Sequence, residues 1–345
     1  MTTQADPIAT PAHPPQRVLV IRVGHVGDMV VITPLLRSLL DWNENLRLTL
    51  ITSGEGRRLL HNFDPRIENI WIYDRRRFPG FVEKNRLARL IASRHFDRVL
   101  VLEDNPSFLD LLRRVDYPVH AIASAPVSAR HFGDRALSLV ADWGVPRQWA
   151  SLPVDADKQA QVRAELAALG IDDNTLVVGL HPSYSGRNKR FFRNPRSEKH
   201  RVWPQDYWAE LARQIRRFAE DSNRDIRVIV DLPAKEAALV DEMMRQADGS
   251  ITLLTPPPDF ERYKALLARM DVLITPNSGP MHLAAALGTR VIALFSNWDP
   301  GECGPYVDPA DYVALRAEDT AQPEQGLTAI TAEQVFTALR AQMGS

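Results

Sequence analysis

The feature that most constrains the fold is an alternation of short apolar runs with amphipathic stretches, which occurs in two series along the chain. The first series begins with Val18–Ile21, an uninterrupted apolar run typical of a strand covered on both faces. Strand, helix and strand repeated in this way predict a parallel, doubly wound sheet. The candidate strands of this series are 18–21, 48–51, 70–73, 99–102 and 119–122, with an amphipathic stretch at 29–42.

The pattern starts again after a segment that contains Pro146, Pro153 and Gly170, and we place the domain boundary there. We therefore predict two Rossmann-like α/β domains, at 17–160 and 170–330. A disordered leader at 1–16 precedes them and a helix at 331–345 follows them. In the second series the candidate strands are 176–180, 226–230, 251–254, 272–274 and 291–294, and the candidate helices are 158–169, 205–222, 234–247, 259–269 and 280–287.

Composition excludes several classes of protein. A length of 345 residues fits two domains, and a net charge of -1 gives no reason to expect nucleic acid as a partner. The single cysteine, Cys303, excludes an intrachain disulfide and a site built from clustered thiolates. No apolar run approaches the ~18 residues that span a bilayer. The proline-rich start lacks the apolar core of a signal peptide, so we expect a cytoplasmic protein.

The near-zero net charge conceals two basic segments. Residues 75–98 and residues 187–201 each carry a net charge of +6, while the rest of the chain is acidic. Such runs are usually solvated faces. The alternative is a surface for a phosphate-rich ligand or for an anionic membrane, which would give a peripheral contact with the inner membrane.

The turn after the first strand, residues 22–28, is the first candidate site. Gly24 and Gly27 allow the backbone to approach a ligand, and a helix follows whose first N–H groups could bind an anion. The sequence is not G-x-G-x-x-G, so the dinucleotide fingerprint is absent. His25 is either solvated or in contact with substrate.

Asp28 within this turn has two compatible interpretations. Its carboxylate can cap the helix that follows, which satisfies N–H groups of the first turn. It can also act as a general base that removes a proton from a substrate hydroxyl. Capping favours the ionised form, which a base requires.

The second candidate site is the junction 275–282, after the strand that ends at Ile274. Asn277 or Ser278 can cap the helix, Pro280 suits its first turn, and Gly279 permits close approach of a ligand. Such a helix start suits a phosphate or a diphosphate, to which His282 could also donate. A well-capped helix with no ligand is the equal alternative. The sequence shows no pair of metal ligands at the usual spacing, no Walker A motif and no G-x-S-x-G.

These two junctions, in this order, resemble glycosyltransferase family 9, which contains the heptosyltransferases of lipopolysaccharide core assembly. Residues 17–37 look like the opening strand, Gly-Asp turn and first helix of the family. Residues 277–287, N-S-G-P-M-H-L-A-A-A-L, look like its signature D-T-G-P-M-H-L-A-A-A-L, and 299–306 resemble the segment that follows.

The resemblance implies a GT-B fold, in which two Rossmann-like domains face a central cleft and the last helix often returns to the first domain. It implies an inverting, metal-independent transfer that uses no cofactor, with ADP-heptose as the donor and Asp28 as the base. The acceptor would be a lipopolysaccharide-core-like or other anionic glycan, met by the first domain, with Gly24, His25, Gly27 and Lys199 as candidate contacts. Donor contacts would come from Ser183, Arg201, Glu236, Asn277, Ser278, Gly279 and His282.

Three departures from the family pattern bear on specificity. Asn277 replaces the usual Asp, residues 185–198 look like an insertion, and Ser296-Asn297-Trp298 replaces a turn that usually contains glycine. Two alternatives therefore stay open. The protein could use a different nucleotide sugar as a transferase or an epimerase, or it could be a nucleotide-sugar binding module without turnover.

Overall fold

The computed structural model describes residues 15–74, 80–124, 129–182 and 202–344. The chain divides into two compact units, Met1–Ala150 and Ser151–Ser345. The predicted leader 1–16 therefore lies almost wholly outside the described residues. Each unit contains one parallel sheet of the predicted doubly wound kind, so the predicted fold class is confirmed for each unit.

Unit 1 is built on a five-stranded parallel sheet in the order β3-β2-β1-β4-β5. Its central strand β1 is buried apart from its first residue, which explains why that run reads as continuously apolar. Val20 pairs with Leu50 on one side and with Leu100 on the other. The strands are β1 Arg17–Ile21, β2 Arg47–Thr52, β3 Ile67–Ile72, β4 Arg98–Val101 and β5 Val119–Ala121.

Helices cover this sheet, and they begin with two short helices where the sequence predicts one. Pro34 has no N–H to donate to the carbonyl of Val30, and the Thr33 hydroxyl donates to that carbonyl instead at 2.8 Å. The helix therefore ends at Val30 and a new one starts at Thr33. The α-helices of unit 1 are α1 Val26–Val30, α2 Thr33–Trp42, α3 Gly54–Leu60, α4 Gly80–Ala92 and α5 Phe132–Ser138.

Unit 2 is built on a six-stranded parallel sheet in the order β11-β10-β9-β6-β7-β8. The edge strand β11 is absent from the sequence prediction because its residues are only half-buried and form no continuous apolar run. The strands are β6 Leu176–Leu180, β7 Ile226–Asp231, β8 Thr252–Leu254, β9 Val272–Pro276, β10 Arg290–Phe295 and β11 Tyr312–Arg316.

The helices of unit 2 follow the predicted segments with two exceptions: 234–247 divides into a 3-10 turn and a short α-helix, and the sequence does not predict the short helix Pro300–Cys303. The α-helices are α6 Ala156–Ala167, α7 Gln205–Ser222, α8 Asp241–Gln246, α9 Phe260–Arg269, α10 Gly279–Ala286, α11 Pro300–Cys303 and α12 Ala332–Gly344. Shorter 3-10 segments are Pro106–Leu112, Ile122–Ser124, Ala141–Trp143, Ala234–Val240, Pro309–Asp311, Ala317–Asp319 and Pro323–Ala329.

The last helix, α12, lies on unit 2, where it packs against α7 and β10. Val335 and Leu339 are fully buried there, in the same cluster as Trp203 and Trp208. The indole Nε1 of Trp203 donates to the carbonyl of Ile330 at 2.7 Å, which fixes the segment that leads into the helix.

Candidate functional site

Asp28 lies in the first turn of α1, directly after the central strand of unit 1. Its Oδ2 accepts a hydrogen bond from the backbone N–H of His25 at 2.9 Å. His25 is the N-cap residue, and its carbonyl accepts from the N–H of Met29 at 3.1 Å. Asp28 is thus the third residue of the helix rather than its N-cap, and its carboxylate reaches back to cap the turn.

Arg22 holds the other oxygen of the same carboxylate. Its Nη2 donates to Asp28 Oδ1 at 3.1 Å, and its Nη1 donates to the carbonyl of Leu102 at 2.9 Å. The guanidinium also lies over the ring of Phe132, 4.1 Å from the centroid. The Asp28 side chain stays 43% exposed. The result is a carboxylate fixed from two directions and still open to a substrate.

The rest of this turn is occupied by a second carboxylate that the sequence prediction missed. Glu55 Oε2 accepts from the backbone N–H of Val26 at 3.0 Å, and Glu55 Oε1 lies 3.4 Å from Nδ1 of His25. The Ser53 hydroxyl donates to the carbonyl of Gly24 at 2.6 Å. Because the N–H groups of His25 and Val26 already meet carboxylates, this turn disfavours the anion that its glycines suggested. The His25 ring is 71% exposed.

The helix α10 in unit 2 begins at the second predicted junction. Ser278 occupies the N-cap position, but its side chain makes no capping hydrogen bond. Its hydroxyl lies 3.1 Å from that of Thr275 instead. Gly279 and Pro280 form the first turn, and His282 behind them is buried. The start of this helix therefore keeps the positive end of its dipole without a cap from the Ser278 side chain.

Asn277, which replaces the family's usual Asp, is fixed by a thiol. Its Nδ2 donates to Sγ of Cys303 at 3.4 Å, and that Sγ donates to the carbonyl of Asp299 at 3.3 Å. Burial raises the pKa of the Cys303 thiol, so the sulfur stays protonated and neutral. The backbone N–H of Asn277 donates to Leu294 at 3.0 Å, which ties the junction to β10.

A cavity of about 200 Å³ adjoins the start of α10. We call it the proline-walled cavity, because Pro280 forms one side and five more apolar or proline residues form the others: Leu232, Pro233, Pro256, Pro257 and Pro258. The polar residues that line it are His181, Asp231, Glu236, Asp259, Arg262 and Tyr263. The cavity therefore brings the predicted donor residue Glu236 next to the predicted helix start, through Pro280.

A buried ion-pair network forms one side of this cavity. Arg262, whose side chain is 5% exposed, donates at 2.8 Å to Asp231 and at 2.8 Å to Glu165 of α6. Burial raises the pKa of Asp231, against the lowering by Arg262. Lys158 of α6 pairs with Asp259 at 2.7 Å. The network fixes the cavity to the first helix of unit 2.

Two further groups in the cavity stay uncharged. Burial lowers the pKa of His181 to about 4, so its imidazole is neutral near pH 7 and offers one donor and one acceptor. Burial also raises the pKa of Tyr263 well above its usual value, so its hydroxyl stays protonated. Both are hydrogen-bonding groups that carry no charge of their own.

The predicted site residues that the structure describes fall into two groups. Gly24, His25, Gly27 and Asp28 form the turn of unit 1. Asn277, Ser278, Gly279, His282 and Glu236 lie together in unit 2. Ser183, Lys199 and Arg201, with the whole basic segment 187–201, lie outside the described residues.

The sequence prediction missed the cavity residues His181, Asp231, Arg262 and Tyr263. Of these four, only Asp231 could have been found from the sequence, because it is an acidic residue at the carboxyl end of a strand, where ligands bind in such sheets. In the described ranges no three His, Cys, Asp or Glu side chains are grouped as metal ligands would be. The same part of the chain has no helix long and apolar enough to cross a membrane.

Comparison with known families and proteins identifies what this chain is similar to. The family described as glycosyltransferase family 9 (heptosyltransferase) matches residues 129–331. Lipopolysaccharide heptosyltransferase 2 of Salmonella typhimurium is 25% identical over 94% of this chain and 97% of that protein. The lipopolysaccharide core heptosyltransferase OpsX of Haemophilus influenzae is 29% identical, but the match spans 38% of this chain and only 36% of that relative.

Solved structures with the same fold cover nearly the whole chain. A family 9 glycosyl transferase from Veillonella parvula has a TM-score of 0.78 at 19% identity, over 96% of this chain and 98% of that one. The E. coli heptosyltransferase WaaC with ADP-2-deoxy-2-fluoro heptose has a TM-score of 0.66 at 17% identity, over 94% and 99%. At these identities the likeness concerns the fold, and it confirms the GT-B class expected from the sequence.

Proposed function

The chain belongs to glycosyltransferase family 9, and from this premise we propose that it transfers a heptose from ADP-heptose to an anionic glycan of the lipopolysaccharide core. The names of its relatives support the sugar and the pathway. The solved WaaC structure with an ADP-heptose analogue supports the donor. Transfer is inverting, and no metal takes part.

The donor binds to unit 2 with its diphosphate at the start of α10. The uncapped N-terminus of this helix supplies N–H groups and a positive dipole end, which suit a diphosphate. Arg201 and Lys199, placed by sequence near Trp203-Pro204, add positive charge. The nucleoside enters the proline-walled cavity, where Glu236 accepts hydrogen bonds from ribose hydroxyls. Ser183, Asn277 and His282 complete the donor contacts.

Asp28 is the general base of the reaction. It takes the proton of the acceptor hydroxyl while that oxygen forms a bond to C1 of the heptose. The bond from C1 to the diphosphate oxygen breaks, and the nucleoside diphosphate leaves with the electron pair. The α10 start stabilises the charge that develops on the leaving group, and it does so without reorganisation. Chelation of divalent ions should therefore leave the rate unchanged.

The observation that carries this proposal is the fixed and accessible carboxylate of Asp28. It is ion-paired to Arg22 and hydrogen-bonded to the N–H of His25, while almost half of the side chain stays exposed. Capping alone requires only the hydrogen bond from the N–H of His25. A base must meet the acceptor oxygen at a defined angle, and the additional ion pair with Arg22 fixes that angle.

The experiment replaces Asp28 with Asn, which keeps the shape and one of the two acceptor oxygens but cannot take the proton. We expect the turnover number to fall by about 10²- to 10⁴-fold, with the affinity for the nucleotide sugar unchanged. Glu55→Gln is the matched control, because Glu55 caps the same turn and is 45% exposed. Unchanged turnover in Asp28→Asn, or an equal loss in Glu55→Gln, would remove Asp28 from this role.

The acceptor binds to unit 1, near Gly24, His25 and Gly27, and it is lipid-linked. The enzyme then acts at the cytoplasmic face of the inner membrane. Neutralising Arg193, Arg196 and Lys199 together tests whether the basic segment contacts an anionic ligand. Affinity should fall, and more so at low salt, because screening is weaker there. Equal affinity before and after the change would make this segment a solvated face.

A further inference from the structure

Among the described residues, the proline-walled cavity offers more hydrogen-bond acceptors than donors. Pro256, Pro257 and Pro258 have no N–H, so the backbone of this wall presents only carbonyl oxygens. Asp231 and Glu236 add two carboxylates, which accept only. Because a buried polar group without a partner is costly, a ligand that fits here must bring donors of its own.

The charge of the cavity decides which end of a nucleotide can enter. Asp231, Glu236 and Asp259 bring three carboxylates, whereas Arg262 is the one cation among the lining residues that the structure describes. Lys158 reaches Asp259 from α6, so the balance over these described residues stays negative. A phosphate is repelled by this balance. An uncharged nucleoside is not repelled, and a volume of about 200 Å³ suits one part of a ligand rather than a whole nucleotide sugar.

Asp231 stands out because only one of its oxygens is used. Its Oδ2 accepts from Arg262 at 2.8 Å, and its side chain is 8% exposed. Within the described part of the chain, Arg262 is its only hydrogen-bond partner, so Oδ1 is available to a ligand in the cavity. Glu165 holds the same guanidinium from α6 at 2.8 Å, so Arg262 has no freedom to move aside.

We propose that Asp231 determines base specificity, its Oδ1 accepting a hydrogen bond from the exocyclic amino group of a purine. This inference rests on the proposed function, since it concerns the donor of the same reaction. Arg262 keeps the carboxylate in one orientation, and the proline carbonyls accept any further donor of the base. A base without an amino group leaves a buried carboxylate oxygen without a partner.

The first measurement compares two ligands on the unaltered protein by calorimetry. ADP carries the amino group, whereas purine riboside 5′-diphosphate carries hydrogen in its place. A hydrogen bond to a charged group corresponds to about 10- to 100-fold in affinity, so we expect ADP to bind more tightly by that factor. Equal affinities would overturn the inference, and this comparison does not depend on any variant folding.

The second measurement repeats the comparison on Asp231→Asn. Arg262 requires an acceptor, so the amide oxygen turns toward it and the amide NH₂ faces the cavity, where it opposes the amino group of the base. The preference for ADP should shrink to within about 3-fold, because the hydrogen bond from the amino group to a charged carboxylate is lost. Persistence of the full preference would contradict the role of Asp231.

Glu165→Gln is the matched control. It changes the other partner of Arg262 while leaving the Asp231 carboxylate in place, so the preference for ADP should remain. An equal loss in both variants would mean that the network acts only by holding the cavity together. If the proposed transfer from ADP-heptose is itself wrong, neither ligand binds and no sugar is transferred, so the two failures are distinguishable. Transfer from ADP-heptose without any preference for the amino group would overturn the inference alone.

Discussion

Arg22 connects three parts of unit 1 through a single side chain. It reaches the Asp28 carboxylate, the carbonyl of Leu102 after β4 and the ring of Phe132 on α5. A planar guanidinium can hold these partners at fixed angles, which an ammonium cannot. Arg22 is therefore a positioning residue for Asp28, and its effect on transfer should appear in turnover rather than in donor binding.

Replacement of Arg22 tests this role. Arg22→Met removes the guanidinium and keeps much of the aliphatic part of the side chain. We therefore expect turnover to fall by about 10²-fold, as for a base displaced by about an ångström. The KM for the nucleotide sugar should not change, because we propose that the donor binds to unit 2. Arg22→Lys should recover at most part of the rate, because an ammonium keeps the positive charge but not the fixed angles. A rise in the KM for the nucleotide sugar at constant turnover would contradict the positioning role.

His181 makes the stability of the protein depend on pH. Its pKa is about 4 in the folded protein, through burial, against about 6.5 in the unfolded chain. Between these values the unfolded state binds a proton that the folded state does not. The free energy of unfolding should therefore fall as the pH decreases from about 6.5 to about 4, by up to about 1.4 kcal/mol per unit from this group.

Urea unfolding at several pH values measures this contribution, with His181→Asn as the reference. Carboxylates titrate in both proteins, so their contribution cancels in the difference. The parent should lose stability relative to the variant as the solution is acidified below pH 6.5. Parallel curves for the two proteins across this range would show that His181 takes up its proton equally well in both states.

At the level of single residues, sequence reasoning finds some roles and misses others for a physical reason. Asp28 and the junction 277–282 stand out because local chemistry makes them unusual where they occur. Glu55 and Arg262 do not, because each meets its partner only after strands or helices distant in the chain are packed together. No spacing along the sequence signals an ion pair between Glu165 and Arg262.

The turn that carries Asp28 shows how an element depends on a single glycine. A Cβ at Gly24 would lie 2.3 Å from Cβ of Asp28 and 2.7 Å from its carboxylate oxygen. That contact involves the root of the Asp28 side chain, so rotation about its bonds cannot relieve it. The glycine is required for close approach of the chain to the carboxylate that closes the turn.

Gly24→Ala should therefore displace Asp28 and reduce transfer, while the affinity for ADP stays unchanged. Strain of this kind typically costs about 1–3 kcal/mol, so the midpoint of thermal unfolding should also fall. Gly54→Ala is the control, because Gly54 opens the neighbouring helix α3 and a Cβ there meets nothing within 4 Å. Turnover in Gly24→Ala equal to that of Gly54→Ala would show that the close contact is unimportant.

Elements that depend on local patterns are the ones that the sequence predicts well. The helix at 205–222 is found where its amphipathic pattern predicts it. The sequence does not predict the break between α1 and α2. This break depends on a hydrogen bond from the Thr33 hydroxyl to the carbonyl of Val30, to which Pro34 has no N–H to donate. Strand β11 is missed because an edge strand needs pairing partners rather than a continuous apolar run.

At the level of the whole molecule, the two series of apolar runs are sufficient to predict two parallel sheets. Their order cannot be read from the runs, since it depends on which strands cross over, as β1 does to lie between β2 and β4. The proline-walled cavity shows the same limit. Its residues come from the ends of β6 and β7, from the 3-10 turn Ala234–Val240, from α9 and the loop before it, and from α10. Only the assembled sheet brings them together.

The packing of α12 on unit 2 has a consequence for synthesis of the chain on the ribosome. All five strands of unit 1 lie between residues 17 and 121, so this unit can fold while the rest is being translated. Unit 2 cannot complete its core as early. This core includes Trp203 and Trp208 together with Val335 and Leu339. We therefore expect the two tryptophan side chains to remain partly exposed until residue 339 has left the ribosome. We expect nascent unit 2 to be the part that most needs a chaperone.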